Sequence, residues 1–328
     1  MTIRIGFIGC GWVSGAHLEK LKDIPDVTLG AFCDADFERA NARVKEYGGA
    51  AYSDYQAMIE KEELDAVYVM LPPFAHGGTE LACIDAGLPI FVEKPIALDL
   101  DTAKKVRHQV EKNKIITAVG YQWRYSPVTL KAVELLKNRE IGMVIGHCFA
   151  FYPGGSPTWG LKAKSGGQVV EQATHIIDLA RMLAGEIERV YCEHDRRLLK
   201  DYENFDIADV SSATLRFKNG AVGTLLNSCA NVPVDTSLRI IAKDLVLTHR
   251  NYKLEIWHNG TIEVFEEKYT GDYYSGGFTE EDRIFIEAVR KKDPSRIKST
   301  YTDACKTLAV TLAIEESASR GKPVKVSI

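Results

Sequence analysis

The chain has 328 residues, 45% of them hydrophobic and 26% charged, the balance of an ordinary globular protein of about two domains. Its 41 Lys and Arg against 45 Asp and Glu leave a net charge of −4 with no clustered basic stretch, which excludes nucleic acid as an expected partner. Apolar stretches such as 66–79 are too short, and too broken by proline, to span a bilayer, so no membrane partner is expected either. Arg4 interrupts the first apolar run, which argues against a signal peptide. The cysteines at 10, 33, 83, 148, 192, 229 and 305 show no C-x-x-C spacing. Neither a metal site nor a disulfide framework is indicated, and a reducing compartment, the cytoplasm, is expected.

In chain order, apolar runs at 3–8, 27–33, 66–71, 89–92 and 115–119 alternate with segments of helical spacing at 11–22, 36–47, 77–86 and 100–113. Such alternation predicts βαβ units and a parallel sheet with helices on both faces. Near-continuous apolar strands agree with burial on both sides. The pattern changes after about residue 125. A helix at 127–138 leads into an alternating strand at 144–152, and further strands are predicted at 190–194, 211–217, 221–228, 237–242, 244–249 and 253–257. Asn219-Gly220 marks a hairpin between two of them. Helices at 279–290 and 302–320 close the chain, with Gly321 as the stop and Pro323 beyond it. The predicted fold class is α/β: a parallel domain over residues 1–121, then an α+β domain with a mostly antiparallel open sheet over 122–328.

Gly9-Cys10-Gly11-Trp12-Val13-Ser14 sits between the first strand and the first helix. This is the G-x-G-x-x-G/A pattern with serine as the third small residue. Gly9 permits the tight turn, Gly11 lets the backbone approach a pyrophosphate, and Ser14 allows close helix–strand packing. The helix N-terminus offers free N–H groups and partial positive charge to the anion. Asp34 ends the second strand, twenty residues after Ser14, where a carboxylate hydrogen-bonds the adenosine ribose; it could also serve as a helix N-cap. The first domain therefore reads as a Rossmann dinucleotide-binding domain. A carboxylate at this place repels a 2′-phosphate, and no arginine follows immediately, so NAD is expected over NADP.

Glu93-Lys94-Pro95 ends the strand at 89–92, on the carboxyl edge of the sheet where ligands bind. With the fingerprint, this triplet resembles the glucose–fructose oxidoreductase / inositol dehydrogenase (Gfo/Idh/MocA) family. Leu71-Pro72-Pro73 with His76 resembles that family's third cofactor-side turn. Gln122 and Arg124 before Tyr125 and Pro127 resemble its passage into the second domain, and Ser165-Gly166-Gly167 followed by Glu171 and His175 resembles its glycine-rich turn and catalytic helix. The similarity runs over nearly the whole chain. It implies an NAD(P)-dependent oxidoreductase of sugars or cyclitols that assembles as a homodimer or homotetramer. Gly9, Gly11, Trp12, Val13, Asp34, Leu71, Pro72, His76, Glu93, Lys94 and Gln122 would bind the cofactor. Lys94 and His175 carry over as the catalytic lysine and histidine. Glu171 stands where the family usually has aspartate, and Gly160 beside Trp159 departs from the arginine of some reductases.

The residues support such chemistry on their own terms. Oxidation of a secondary alcohol needs a base for the hydroxyl proton, and histidine titrates near neutral pH. A lysine at a strand end can stabilise charge developing on the reacting oxygen. On one continuous helix Glu171, His175 and Asp178 would share a face, letting a carboxylate orient the imidazole. Tyr125, Trp159 and Gln172 are candidate substrate contacts. Two other functions use the same parts: redox-neutral glycoside cleavage with tightly held NAD, and non-enzymatic dinucleotide sensing. Retention of both Lys94 and His175 counts against the second.

Overall fold

A computed structural model describes residues 2–151, 158–267 and 277–328. The chain divides into two compact units, Met1–Gln122 with Tyr273–Cys305, and Trp123–Asp272 with Lys306–Ile328. In the first unit β1 (Ile3–Ile8), α1 (Trp12–Leu21), β2 (Val27–Cys33), α2 (Phe37–Tyr47), β3 (Ala50–Tyr52), α3 (Tyr55–Lys61), β4 (Ala66–Val69), α4 (Gly78–Asp85), β5 (Ile90–Val92), α5 (Leu100–Asn113) and β6 (Thr117–Val119) follow in turn. The sheet order is β3-β2-β1-β4-β5-β6 with every pair parallel. All residues of β4 and β5 are buried, as apolar strands covered on both faces must be. Phe32, Phe7, Tyr68 and Phe91 fall opposite one another on adjacent strands. Their rings stack at 5.9, 4.9 and 4.8 Å, and each such pair adds about 0.5–1.5 kcal/mol beyond its buried area. Asp36, Asp54 and Asp99 cap α2, α3 and α5 through their carboxylates.

The second unit holds α6 (Pro127–Leu136), β7 (Ile141–Phe151), α7 (Lys162–Ser165), α8 (Gln168–Glu171), α9 (Thr174–Ala184), β8 (Ile187–Asp195), β9 (Val210–Phe217), β10 (Val222–Ser228), β11 (Ala230–Ala242), β12 (Leu245–Arg250), β13 (Lys253–His258) and β14 (Thr261–Glu266). Then come α10 (Phe278–Lys291), α11 (Tyr301–Arg320) and β15 (Val324–Lys325). The sheet order is β14-β13-β12-β11-β7-β10-β9-β8-β15, antiparallel except for the β7–β10 pair. Gly146 on β7 leaves space that Ile176 of α9 fills, so this face of the sheet is roofed by helix. On the other face Ile262, Trp257, Val246, Ile241, Met143 and Val222 stand opposite one another across six strands. This apolar stripe includes Trp257 and Met143, both more than a third exposed.

Three expectations are corrected. Residues 122–328 are not one uninterrupted domain, because the stretch carrying α10 returns to the first unit, where α10 packs on α1. The strands β3, β14 and β15 and the helices α3 and α7 were not anticipated: β3, β15 and α7 are very short, and β14 is exposed on both sets of alternating residues. Finally, no continuous helix joins Glu171 to Asp178. The helix breaks between α8 and α9, where the N–H of Ala173 reaches back to the carbonyl of Gln168. Tyr152, the last residue of the expected 144–152 strand, lies outside the described residues.

Candidate functional site

In the first unit the expected cofactor residues line one edge of the sheet, because β1, β2, β4, β5 and β6 are parallel and all end there. The order places β1 beside β4, the reversal point where doubly wound sheets bind ligands. Gly9 has φ +95°, and a side chain there would collide with the carbonyl of Met70. At Gly11 the reverse holds: an added Cβ meets nothing within 4 Å, so the loop is open where a phosphate would lie. Gly11 is also the N-cap of α1 with no side-chain cap, which leaves the first N–H groups of the helix to an anion. Ser14 is buried and its hydroxyl donates to the Gly11 carbonyl at 2.6 Å, while Trp12 is 69% exposed at the rim and Val13 half-buried.

Asp34 closes the loop from β2. Its Oδ2 accepts the N–H of Cys10 at 2.8 Å and its Oδ1 accepts the N–H of Asp36 at 2.9 Å. The carboxylate is thus oriented by backbone donors and retains lone pairs for two ribose hydroxyls. Burial, then the Asp34 charge, pushes the Cys10 thiol up to about 12, so this cysteine is not a nucleophile. Open loop, uncapped helix and oriented carboxylate together fit a dinucleotide.

After β4 come Leu71 and Pro72, then His76, whose Nδ1 lies 2.5 Å from Oε1 of Glu80. Oε2 of Glu80 accepts the N–H of Gly77 at 2.6 Å. The far nitrogen of His76, Nε2, is buried and has no hydrogen-bond partner among the described residues. After β5, Glu93 is buried and Lys94 half-buried; the Lys94–Pro95 peptide is cis. Gln122 follows β6 in a single turn of 3₁₀ helix over Gln122–Tyr125.

In the second unit His175 is the second residue of α9, and the indole of Trp123 packs against its ring at 5.2 Å. Tyr125 is 2% exposed. Trp159 Nε1 donates to Oε1 of Glu171 at 3.3 Å. The amide oxygen of Gln172 is buried without a hydrogen-bond partner among the described residues. Asp178 does not support His175. It takes a bidentate pair from Arg124, both bonds 2.6 Å, and accepts the Thr307 hydroxyl at 2.8 Å. This buried pair ties α9 to the turn that carries Trp123; removing one partner of such a pair costs about 3–5 kcal/mol. Trp123 is the ring neighbour of His175 that sequence reasoning missed, although it lies inside the Gln122–Tyr125 segment.

Comparison with known proteins follows the same division. Residues 3–121 match the model of an oxidoreductase family with an NAD-binding Rossmann fold, and residues 129–245 match the GFO/IDH/MocA C-terminal domain. The chain is 28% identical to myo-inositol 2-dehydrogenase of Thermotoga maritima, over 99% of this chain and 98% of that one. It is 25% identical to scyllo-inositol 2-dehydrogenase (NAD(+)) of Bacillus subtilis, over 99% and 97%. A levoglucosan dehydrogenase in complex with NADH shares the fold at TM-score 0.90, with 19% identity and full coverage of both chains.

Proposed function

The chain belongs to the Gfo/Idh/MocA oxidoreductase family, and from that premise we propose that it moves a hydride between NAD and a secondary alcohol of a sugar, sugar derivative or inositol. The observation that carries the reading is the open, uncapped phosphate loop with Asp34 oriented beside it, on the sheet edge that also bears Lys94. Two relatives matched over nearly their full length are named as inositol 2-dehydrogenases, which points to a polyol as substrate.

The nicotinamide, when bound, takes or gives the hydride. The chain supplies the rest. The Lys94 ammonium hydrogen-bonds the reacting oxygen and stabilises the negative charge that grows there as the C–H bond breaks. His175 accepts the hydroxyl proton, and returns it in the reverse direction. Trp123 limits the rotation of its ring. Gln172 offers a desolvated amide oxygen to a substrate hydroxyl, and Glu171 holds Trp159 as a wall of the polyol site. The apolar stripe from Ile262 to Val222 is where a second copy of the chain packs. Sedimentation should show a dimer or tetramer at micromolar concentration; a monomer there refutes that assembly.

The test of the function is a panel of inositols, aldoses and sugar derivatives, each run with NAD and with NADP, followed by reduced-nicotinamide absorbance. Steady NADH formation with a polyol or sugar is expected. Tight NADH binding with no turnover on any of them would overturn the dehydrogenase reading.

A further inference from the structure

Within the first unit, under the Lys94 turn, lies a buried polar cluster that none of the steps above uses. His17 of α1 has no solvent exposure. Its Nδ1 is 2.8 Å from Oδ1 of Asp282 in α10, and its Nε2 is 3.1 Å from Oε1 of Glu93. Asp282 Oδ1 also accepts the Tyr68 hydroxyl at 3.1 Å, and Glu93 Oε2 accepts the backbone N–H of Lys94 at 3.0 Å. As carboxylates both groups accept, and a ring that donates from both nitrogens satisfies them together.

The surroundings agree with that protonation. Burial alone would push the imidazole pKa down, but Asp282 and Glu93 outweigh it and hold His17 well above its ordinary value. Burial lifts Glu281, the other carboxyl facing this space from α10, well above its usual range, and raises Asp282 as well. Tyr68 keeps its proton for Asp282, its own pKa raised by burial and by that carboxylate. The rings of Phe91 and Phe278 close the remaining sides of His17 at 4.9 and 5.3 Å. Gly120 makes the room for Glu93, since a Cβ there would collide with its carboxylate.

Burying ions is expensive, and apolar side chains of similar size would pack an interior at no such cost. We propose that His17, bridging Asp282 and Glu93, is a positioning residue for Lys94. It fixes the Glu93 carboxylate, and Glu93 fixes the Lys94 backbone. The same side chain belongs to α1, the helix of the phosphate loop, so one brace sets both the dinucleotide loop and the lysine turn. The inference rests on the reading of Lys94 as the group that meets the substrate oxygen.

Two measurements test it. In ¹⁵N-histidine-labelled protein, His17 should show both ring nitrogens protonated at pH 7.5, where an ordinary imidazole is neutral; a neutral ring there overturns the bridge without any variant. His17→Gln and Glu93→Gln should each speed hydrogen exchange at the Lys94 amide by at least about tenfold, since the protecting bond is loosened. Each should lower kcat by about 10–100-fold. The double variant should be no worse than the weaker single one, because both residues act through one bond. Unchanged Lys94 exchange, or kcat losses that multiply in the double variant, overturns the proposal. A harmless Lys94→Ala would instead overturn the reading of Lys94, whereas a severe Lys94→Ala beside a harmless His17→Gln leaves that reading standing and removes only His17.

Discussion

The indole of Trp159 donates to the carboxylate of Glu171 across a gap of 3.3 Å. Glutamate at this position thus reaches a tryptophan twelve residues upstream rather than acting along a helix shared with His175. Glu171→Gln keeps an acceptor oxygen and should hold kcat/KM within about threefold of the parent, as expected when one neutral hydrogen bond replaces a charged one. Glu171→Asp withdraws the carboxylate by about 1 Å and should cost about tenfold, mainly in KM. Neither should move the pH–rate profile. A profile shifted by Glu171→Gln would reassign the carboxylate to His175.

Lys94→Ala and His175→Ala remove the groups assigned to the reacting oxygen and its proton. Each should lower kcat by roughly 10²–10⁴-fold. NADH titrations followed by fluorescence should show near-parental Kd in both, because the phosphate loop and Asp34 are untouched. A tenfold loss of NADH affinity in either variant would count against the assignment.

Asp34, proposed to meet the adenosine ribose, also holds the glycine loop through the N–H of Cys10. Asp34→Ser should therefore raise the NAD Kd by about 10–100-fold, the loss of a charge-assisted bond and of loop order together. Adding Ala35→Arg should shift preference toward NADP. If the parent protein already reduces NADP as fast as NAD, the argument from charge repulsion is wrong.

His249 is buried beside the Thr129 hydroxyl, which lies 3.0 Å from its Nε2, and burial pushes its pKa down to about 4. The folded value lies below the unfolded one near 6.5, so the unfolded chain takes up the proton first. Stability from this group is complete above about pH 6.5 and falls as pH drops toward 4, by an amount on the order of 3 kcal/mol. His249→Gln should lower Tm at pH 7.5 yet lose less Tm between pH 7.5 and 5 than the parent. An equal loss in both proteins excludes His249 as the source of acid sensitivity.

The glycine loop was legible because its signal is local: strand, glycines, helix and acid follow within 32 residues and each is demanded by backbone geometry. The sheet edge bearing Lys94 was legible for the same reason. The His17–Asp282 contact was not, since its partners lie 265 positions apart and each reads as one polar residue in an amphipathic helix. The break between α8 and α9 carries no proline or glycine from Glu171 to Thr174, so the spacing looked like an unbroken helix. Likewise, nothing in β7 or β10 announces that these two strands run parallel, because pairing partners are chosen by the chain between them.

The return of α10 to the first unit fixes an order of events during synthesis. Domains ordinarily fold as they leave the ribosome, the N-terminal one first. Here the partner of His17 is Asp282, so 150 residues of the second unit must be translated before the dinucleotide-binding unit can close its own core. A nascent chain halted at residue 122 would carry the whole nucleotide fingerprint with the inner face of α1 still uncovered, and would need chaperoning until α10 emerged.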